Sequence, residues 1–106
     1  MHFLCRLEAI GLQQSKGFNI EGTVLFVVRT AHGVFAYKNQ CPHRGIELEW
    51  FPDRFLNHDQ EYIICSTHGA LFDIRTGRCV SGPCVDEHLI SIPAEIRGDD
   101  VFVALS

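Results

Sequence analysis

The chain has 106 residues and a formal net charge of −4. This length suits one domain that buries roughly two-thirds of its unfolded surface, and it leaves no room for a second catalytic domain of ordinary size. The mildly acidic balance disfavours nucleic acid as a partner, because the sequence lacks clusters of Lys and Arg. No apolar segment approaches the roughly 18 to 20 residues that span a bilayer, and no leader pattern is visible. We therefore expect a single domain, residues 1–106, that is cytoplasmic and not bound to a membrane.

Most of the chain carries the pattern of β-strands. Short apolar runs rich in β-branched and aromatic residues alternate with turns that contain Gly, Asn and Asp. Residues 8–17 lack this pattern and are expected to form a loop, with space for one helical turn. The predicted strands are residues 2–7, 23–29, 34–38, 61–64, 70–74, 78–80, 89–97 and 101–105. Their order predicts an antiparallel all-β fold.

Two of the predicted connections are hairpins. Residues 23–29 and 34–38 face each other across a four-residue turn that ends at Gly33, which can take a positive φ. Residues 89–97 and 101–105 form a closing hairpin across a turn that contains aspartate. The centre of the first of these strands is apolar at every position, which predicts a strand buried on both faces of a sandwich or small barrel.

Two short runs each combine a thiol and an imidazole. The first is Cys41-Pro42-His43-Arg44-Gly45, and the second is Cys65-Ser66-Thr67-His68-Gly69. Together they offer two sulfur and two nitrogen donors, and each histidine is followed by a glycine that lets the backbone fold tightly round a bound centre. Because both runs follow predicted strands, we expect them at the tips of hairpin loops.

Ligand type alone does not choose between tetrahedral zinc and an iron-sulfur centre, since both accept thiolate and imidazole. The spacing is C-x-H, then 21 residues, then C-x-x-H. Two similar loops can then face each other with both sulfurs on one side and both nitrogens on the other, which favours a two-metal cluster. The remaining histidines are expected to be ordinary polar residues; these are His2, His32, His58 and His88.

These two runs and a third segment resemble the Rieske family. The similar stretches are C-P-H-R-G, C-S-T-H-G-A-L-F-D and, over residues 76–83, T-G-R-C-V-S-G-P. The resemblance implies an antiparallel β-sandwich of Rieske type, with a small cluster-binding subdomain formed by two hairpin loops, and one [2Fe-2S] cluster. Carried over by residue, it implies that Cys41 and Cys65 hold one iron and that His43 and His68 hold the other.

The chain is similar to the ferredoxins of bacterial aromatic-ring oxygenase systems, which implies a one-electron carrier without enzymatic activity of its own. A flavin-dependent NAD(P)H reductase is then the expected donor, and a terminal oxygenase is the expected acceptor. A mononuclear iron site needs two further histidines and a carboxylate in a sizeable pocket, for which a domain of this size has no room. We expect the free protein to be a monomer.

Two other functions stay open. The chain could be the small redox subunit of a larger oxidoreductase, as in nitrite reductase small subunits, and a heavy partner would then remain attached in size-exclusion chromatography. It could instead be a zinc-stabilised interaction module, which would be colourless and would contain zinc without iron or sulfide.

Four positions near the two runs bear on the reduction potential. High-potential Rieske proteins of quinol-oxidising complexes resemble this chain in their ligands, but they add a serine hydroxyl, a tyrosine hydroxyl and a disulfide between the loops. Here Ala70 and Phe72 occupy the hydroxyl positions, and Ile46 and Thr67 occupy the disulfide positions. The sequence therefore predicts a potential near the low end of the Rieske range, roughly −150 mV. Ser66 stands where the ferredoxin pattern commonly has proline. This difference leaves the ligands unchanged, but it lies at the loop tip that a docking oxygenase or reductase would touch.

Three cysteines remain after the four ligands are assigned. An odd total of five, without a secretory signal, argues against a disulfide framework. Cys5 is expected in a strand. Cys79 and Cys84 either pair with each other or, as we expect, act as small hydrophobic residues beside the cluster or in the core.

Overall fold

Three antiparallel sheets make up the described part of the fold. The computed structural model describes residues 1–42, 45–49, 51–67 and 69–105; His43, Arg44, Trp50, His68 and Ser106 lie outside the described residues. The predicted all-β, antiparallel class is confirmed. Within these ranges the single helix is a three-residue 3-10 turn, and no helix there is long and apolar enough to cross a membrane. In chain order the elements are β1 (His2–Arg6), the 3-10 turn (Leu7–Ala9), β2 (Gln14–Ile20), β3 (Thr23–Thr30), β4 (Gly33–Lys38), β5 (Tyr62–Cys65), β6 (Ala70–Asp73), β7 (Cys79–Ser81), β8 (Ser91–Ile92), β9 (Ala94–Arg97) and β10 (Asp100–Val103).

Strand β3 lies inside the largest sheet, whose order is β2-β3-β4-β8. Its four central residues, Leu25, Phe26, Val27 and Val28, are fully buried. Successive side chains of a strand point to opposite faces, so Phe26 and Val28 join one apolar cluster while Leu25 and Val27 join another. The strand packs against two layers at once, which confirms the prediction that it is buried on both faces.

One face of this central sheet is covered by the three-stranded sheet β1-β10-β9. Val103 of β10 and Ile10, which follows the 3-10 turn, share an apolar cluster with Leu25 and Val27. Leu4 of β1 packs against the same cluster. These two sheets form the base of the molecule.

The other face carries the sheet β5-β6-β7, which belongs to the layer that the cysteine runs enter. Ile63 of β5 and Phe72 of β6 share an apolar cluster with Phe26 of the central sheet. Phe55, from the segment between β4 and β5, stacks on Phe26 with ring centroids 4.4 Å apart and planes 7° apart. This contact joins the layer of the cysteine runs to the base.

Strand β2 differs from the sequence prediction. The loop predicted for residues 8–17 is wrong from Gln14 onward, because β2 begins there and pairs with β3. Gln14, Ser15 and Lys16 are polar, but β2 is an edge strand of its sheet, and an edge strand tolerates polar side chains when its neighbour supplies the backbone pairing. The helical turn for which this stretch had space lies at Leu7–Ala9.

Both predicted hairpins form, with changes in detail. Thr30 pairs with Gly33, so the first turn has two residues between the strands and not four. The predicted strand 89–97 is divided at Pro93: β8 pairs with β4, whereas β9 pairs with β10. Proline has no N–H for the ladder, so it suits the point where the chain passes from one sheet to another.

The two cysteine runs have different surroundings. The second run lies between β5 and β6, which form a hairpin as predicted. The first run follows β4, but the next strand is β5. In the described part of residues 45–61, the only strand-like pairing is an isolated bridge from Leu56 to Ile63. The first run therefore lies in a long connection between two sheets.

Candidate metal centre

Cys41 and Cys65 reach the same part of the core from different elements. Cys41 follows β4, and Cys65 is the last residue of β5. Both are fully buried, and they belong to one apolar cluster. The predicted ligands His43 and His68 lie outside the described residues. The structure thus places the two thiols in one buried cluster.

We call residues 41–46 the first cysteine loop; two backbone hydrogen bonds join its described ends. The Gly45 N–H donates to the Cys41 carbonyl at 2.6 Å, and the Cys41 N–H donates to the Ile46 carbonyl at 2.7 Å. Gly45 has a φ of +70°, in the left-handed region that glycine enters without a steric penalty. This glycine has the turning role that the sequence predicted for it.

Residues 65–70 form the second cysteine loop, which repeats this pattern. The Gly69 N–H donates to the Cys65 carbonyl at 2.7 Å, and Gly69 has a φ of +68°. Cys65 is paired with Ala70 in the ladder of β5 and β6. In both loops the carbonyl of the cysteine accepts from a left-handed glycine four residues later. The backbone at the two thiols is therefore alike, although the surrounding elements differ.

Asn39 connects the first cysteine loop to its neighbours. Its side chain is buried; its Oδ1 accepts the Leu48 N–H at 2.8 Å, and its Nδ2 donates to Glu49 Oε1 at 2.8 Å. The Leu48 carbonyl in turn accepts the Ser66 N–H of the second loop at 2.8 Å. The sequence analysis missed Asn39. The available signal was an asparagine directly after an apolar strand and two residues before Cys41, where a side-chain amide can satisfy a turning backbone.

The segment 76–83, the third stretch of the family resemblance, packs on the second cysteine loop. Ser81 of β7 pairs with Leu71 of β6. Gly82 comes next with a φ of +106°, and a Cβ atom added there would lie 2.8 Å from the Ala70 Cα. The two backbones touch at this point, so only glycine fits.

Cys79 and Cys84 lie in the same buried cluster as Cys41 and Cys65. Burial raises the pKa of Cys84 to about 12, and its hydrogen bond with Cys79 and the nearby Cys79 and Cys41 thiols add to the rise. Within the described ranges, no group of three or more Cys, His, Asp or Glu residues is arranged to hold a metal. Cys79 and Cys84 therefore do not complete a four-thiolate site with Cys41 and Cys65.

The thiol pair fits the cysteine end of a [2Fe-2S] cluster. A thiolate buried in an apolar core is costly unless a positive centre compensates its charge, and a bound metal does so. Cys41 and Cys65 are fully buried on matching loops, so they can supply the two sulfur ligands of one iron.

Comparison with known sequences relates the chain to a family and to a ferredoxin of similar length. Residues 1–97 match the Rieske [2Fe-2S] domain family. The ferredoxin component of the naphthalene 1,2-dioxygenase system of Pseudomonas aeruginosa is 30% identical over 90 residues, which cover 85% of this chain and 81% of that protein.

Two solved structures share the fold over nearly the whole chain. The ferredoxin of carbazole 1,9a-dioxygenase from Nocardioides aromaticivorans IC177 matches with a TM-score of 0.79 and 24% identity, covering 100% of both chains. A chain in the complex of reduced oxygenase and oxidized ferredoxin in carbazole 1,9a-dioxygenase matches with a TM-score of 0.79 and 25% identity, covering 97% of this chain and 91% of that one. The expected β-sandwich architecture is confirmed by both.

Proposed function

This chain belongs to the Rieske [2Fe-2S] domain family, and from that premise we propose that it is the ferredoxin component of an aromatic-ring oxygenase system. The observation that carries the proposal is the coverage of the match. The chain and the ferredoxin of a naphthalene dioxygenase system correspond over 85% and 81% of their lengths, so the likeness extends to a whole electron carrier. The protein passes electrons between partners and converts no substrate itself.

In this proposal Cys41 and Cys65 hold one iron of a single Rieske cluster, and His43 and His68 hold the other. Support comes from the burial of both thiols in one core and from the left-handed glycines that close both loops. When bound, a cluster of this kind accepts and releases one electron at a time.

The surroundings of the two cysteines define the side from which a partner can approach. Cys41 and Cys65 have no exposed surface, and Leu48 and Phe72 of the same apolar cluster are also fully buried. These side chains exclude water from the cysteine side. Electron exchange with a partner then takes place on the histidine side of the cluster.

We place the reduction potential near the low end of the Rieske range, at roughly −150 mV. Ala70 and Phe72 are fully buried and carry no hydroxyl that could donate to a cluster sulfur or a ligand thiolate. Ile46 and Thr67 cannot form a disulfide between the cysteine loops. Hydrogen bonds to sulfur raise the potential, so their absence from these two positions lowers it.

The proposed acceptor is a terminal oxygenase, and the proposed donor is an NAD(P)H-dependent flavin reductase. The oxygenase is proposed because the similar proteins are ferredoxins of dioxygenase systems, and one of them was solved in complex with its oxygenase. Dependence on a nicotinamide-linked donor places the carrier in the cytoplasm. A shuttle has to leave one partner before it meets the next, so we propose that the free protein is a monomer.

Reconstitution tests this function directly. Purified protein is expected to contain about two iron and two sulfide per chain. It should take electrons from a flavin reductase and support product formation by a naphthalene- or carbazole-type terminal oxygenase. A midpoint potential well above zero would contradict the low-potential assignment, and a colourless protein with stoichiometric zinc would overturn the redox function.

Histidine variants with a matched control test the ligand assignment. His43→Ala and His68→Ala are each expected to lose the visible absorption of the cluster and to stop electron transfer. His58→Ala should keep both, because His58 is predicted to be an ordinary surface residue. If a heavy partner co-elutes permanently with the native protein in size-exclusion chromatography, the protein is a subunit and not a shuttle.

A further inference from the structure

We propose that Cys79 and Cys84 form a reversible disulfide, a modification site separate from the four cluster ligands. The two thiols lie in the core with 2.9 Å between their Sγ atoms, and each residue is 1% exposed. A disulfide has an S–S distance of about 2.05 Å, so the sulfurs need to approach by about 0.9 Å, which small rotations of the two side chains can supply.

The backbone holds the two cysteines together through one shared residue. The Cys79 N–H donates to the Glu87 carbonyl at 2.8 Å, and the Glu87 N–H donates to the Cys84 carbonyl at 2.9 Å. On the surface, Arg78 and Asp86 form an ion pair at 3.1 Å across the same two segments. The disulfide would therefore close a turn whose ends are already adjacent, without rearrangement of the chain.

The crosslink would act on the wall of the second cysteine loop. The residues between the two cysteines include Ser81, which pairs with Leu71, and Gly82, where an added Cβ would lie 2.8 Å from the Ala70 Cα. Opening of this turn would uncover the buried side of the cluster site. A bond between Cys79 and Cys84 restricts that opening, so the oxidised protein should lose its cluster more slowly than the reduced one.

The oxidant is a low-molecular-weight disulfide of the glutathione type. One cysteine, as thiolate, attacks it during opening of the turn: a mixed disulfide forms, and one small thiol leaves. The second cysteine then attacks the mixed disulfide, so that the Cys79–Cys84 bond forms and the second small thiol leaves. The protein loses two electrons and two protons, and the small disulfide gains them. Because both thiols are buried, the rate is set by opening of the turn.

The test uses the holoprotein in a Cys5→Ser background, so that the exposed portion of Cys5 does not react. The protein is equilibrated in glutathione buffers of increasing oxidised fraction, quenched with acid, alkylated under denaturing conditions, and digested with trypsin. Residues 79–97 contain both cysteines on one tryptic peptide. We expect this peptide to become lighter by two hydrogens and resistant to alkylation, and to return to the doubly alkylated form after treatment with dithiothreitol.

Two results would overturn the proposal: double alkylation of the peptide at every buffer ratio, or a mixed glutathione adduct on either cysteine as the final product. A second readout follows the visible absorption of the cluster during thermal bleaching. Bleaching should be roughly threefold to tenfold slower in the oxidised protein than in the reduced one, and Cys79→Ala with Cys84→Ala should remove this difference. Equal bleaching rates in the two oxidation states would contradict the role of the crosslink at the second loop.

Discussion

The two cysteine loops are alike at their described cysteine and glycine and differ in their support. Each presents a buried cysteine whose carbonyl accepts from a glycine at a φ close to +70°. The second loop joins two strands of a three-stranded sheet and is backed by Gly82. The first loop has no strand directly after it in the described residues, and it relies on the side chain of Asn39.

The difference shows how one local geometry can be stabilised in two ways. The second loop is held by backbone hydrogen bonds of the ladder, which do not depend on the identity of the side chains. Its most sensitive position is therefore Gly82, where a larger residue would overlap with Ala70. The first loop has two backbone hydrogen bonds of its own, and the Asn39 side chain holds the segment that follows it through Leu48 and Glu49. We therefore expect equal responses where the loops are alike, and different responses where their supports differ.

Replacement of either ligand cysteine should have the largest effect of all the substitutions, and the loss of cluster should be the same for both loops. Cys41→Ser and Cys65→Ser each exchange a soft thiolate for a hydroxyl that iron and sulfide clusters bind poorly. Iron and sulfide should fall to less than about a tenth of the parent content, as measured by chemical analysis and visible absorption. Cys5→Ser is the control and should keep the full content. A full cluster in either ligand variant would refute the assignment.

Gly82→Ala should break the support of the second loop alone. The new Cβ would meet the Ala70 Cα at 2.8 Å, in a backbone conformation at φ +106° that alanine rarely adopts. Strain and overlap together should destabilise the holoprotein by about 3 kcal/mol. Gly98→Ala is a matched control, because its φ is +60° and an added Cβ there has no atom of the described part of the chain within 4 Å. Its cost should be about 1 kcal/mol, from the conformation alone. Similar costs for both in denaturant unfolding would contradict the backing role of Gly82.

Asn39→Ala should weaken the first loop. The Leu48 N–H is fully buried and would lose its acceptor, which costs about 2 kcal/mol. The neighbouring Gln40 is exposed, so Gln40→Ala should change stability by less than about 0.5 kcal/mol. In the Asn39 variant the free energy of unfolding should fall and the cluster should bleach faster. Neither quantity should change in the Gln40 control. A stable Asn39 variant would show that the first loop has another support.

The sequence was informative where side-chain pattern decides the structure. The continuous apolar run of β3 predicted a strand covered on both faces, and its residues divide between two apolar clusters as expected. The cysteine and glycine spacing predicted two turning loops, and Gly45 and Gly69 both occupy the left-handed region. These features depend on residues close together in the chain, so they can be predicted from the sequence alone.

Features that depend on distant partners were not predicted. Gln14, Ser15 and Lys16 have no strand pattern of their own and become a strand because β3 offers them a backbone partner. Asn39 becomes important only when the chain brings Leu48 to its side chain. The closeness of Cys79 and Cys84 likewise depends on the turn through Glu87. For His43 and His68 the ligand role stays a prediction, since they lie outside the described residues.

Tyr37 links the elements on either side of the two loops, and its removal should have a moderate effect. It lies on β4, which leads to the first loop, and its hydroxyl donates at 2.6 Å to the carbonyl of Ile74, directly after β6 of the second loop. Both residues are buried. Tyr37→Phe should cost about 1 to 1.5 kcal/mol near neutral pH. Tyr62→Phe, at a partly exposed position, should cost less.

The same variant should change the response to alkaline pH. Burial, with a smaller contribution from the charge of Asp73, raises the pKa of Tyr37 to about 12, above its unfolded value near 10. The stabilising contribution of this group is therefore full below pH 10 and is lost as the pH rises from 10 to 12. The parent should lose more stability over that window than Tyr37→Phe. Parallel losses in the two proteins would contradict the raised pKa.

The smallest difference in stability is expected between variants of Gly45 and Gly69, the residues in which the two loops are most alike. Gly45→Ala and Gly69→Ala each place a side chain at a φ near +70°, which costs about 1 kcal/mol. Among the described residues, a Cβ at Gly69 meets no atom within 4 Å, and one at Gly45 lies 3.4 Å from the movable amide of Gln40. Neither variant should therefore add a steric cost, and the two unfolding free energies should agree within about 0.5 kcal/mol. If Gly45→Ala lowers the free energy of unfolding more than twice as much as Gly69→Ala, the sheet around the second loop accommodates strain that the first loop does not. The likeness of the two loops would then be limited to their cysteines.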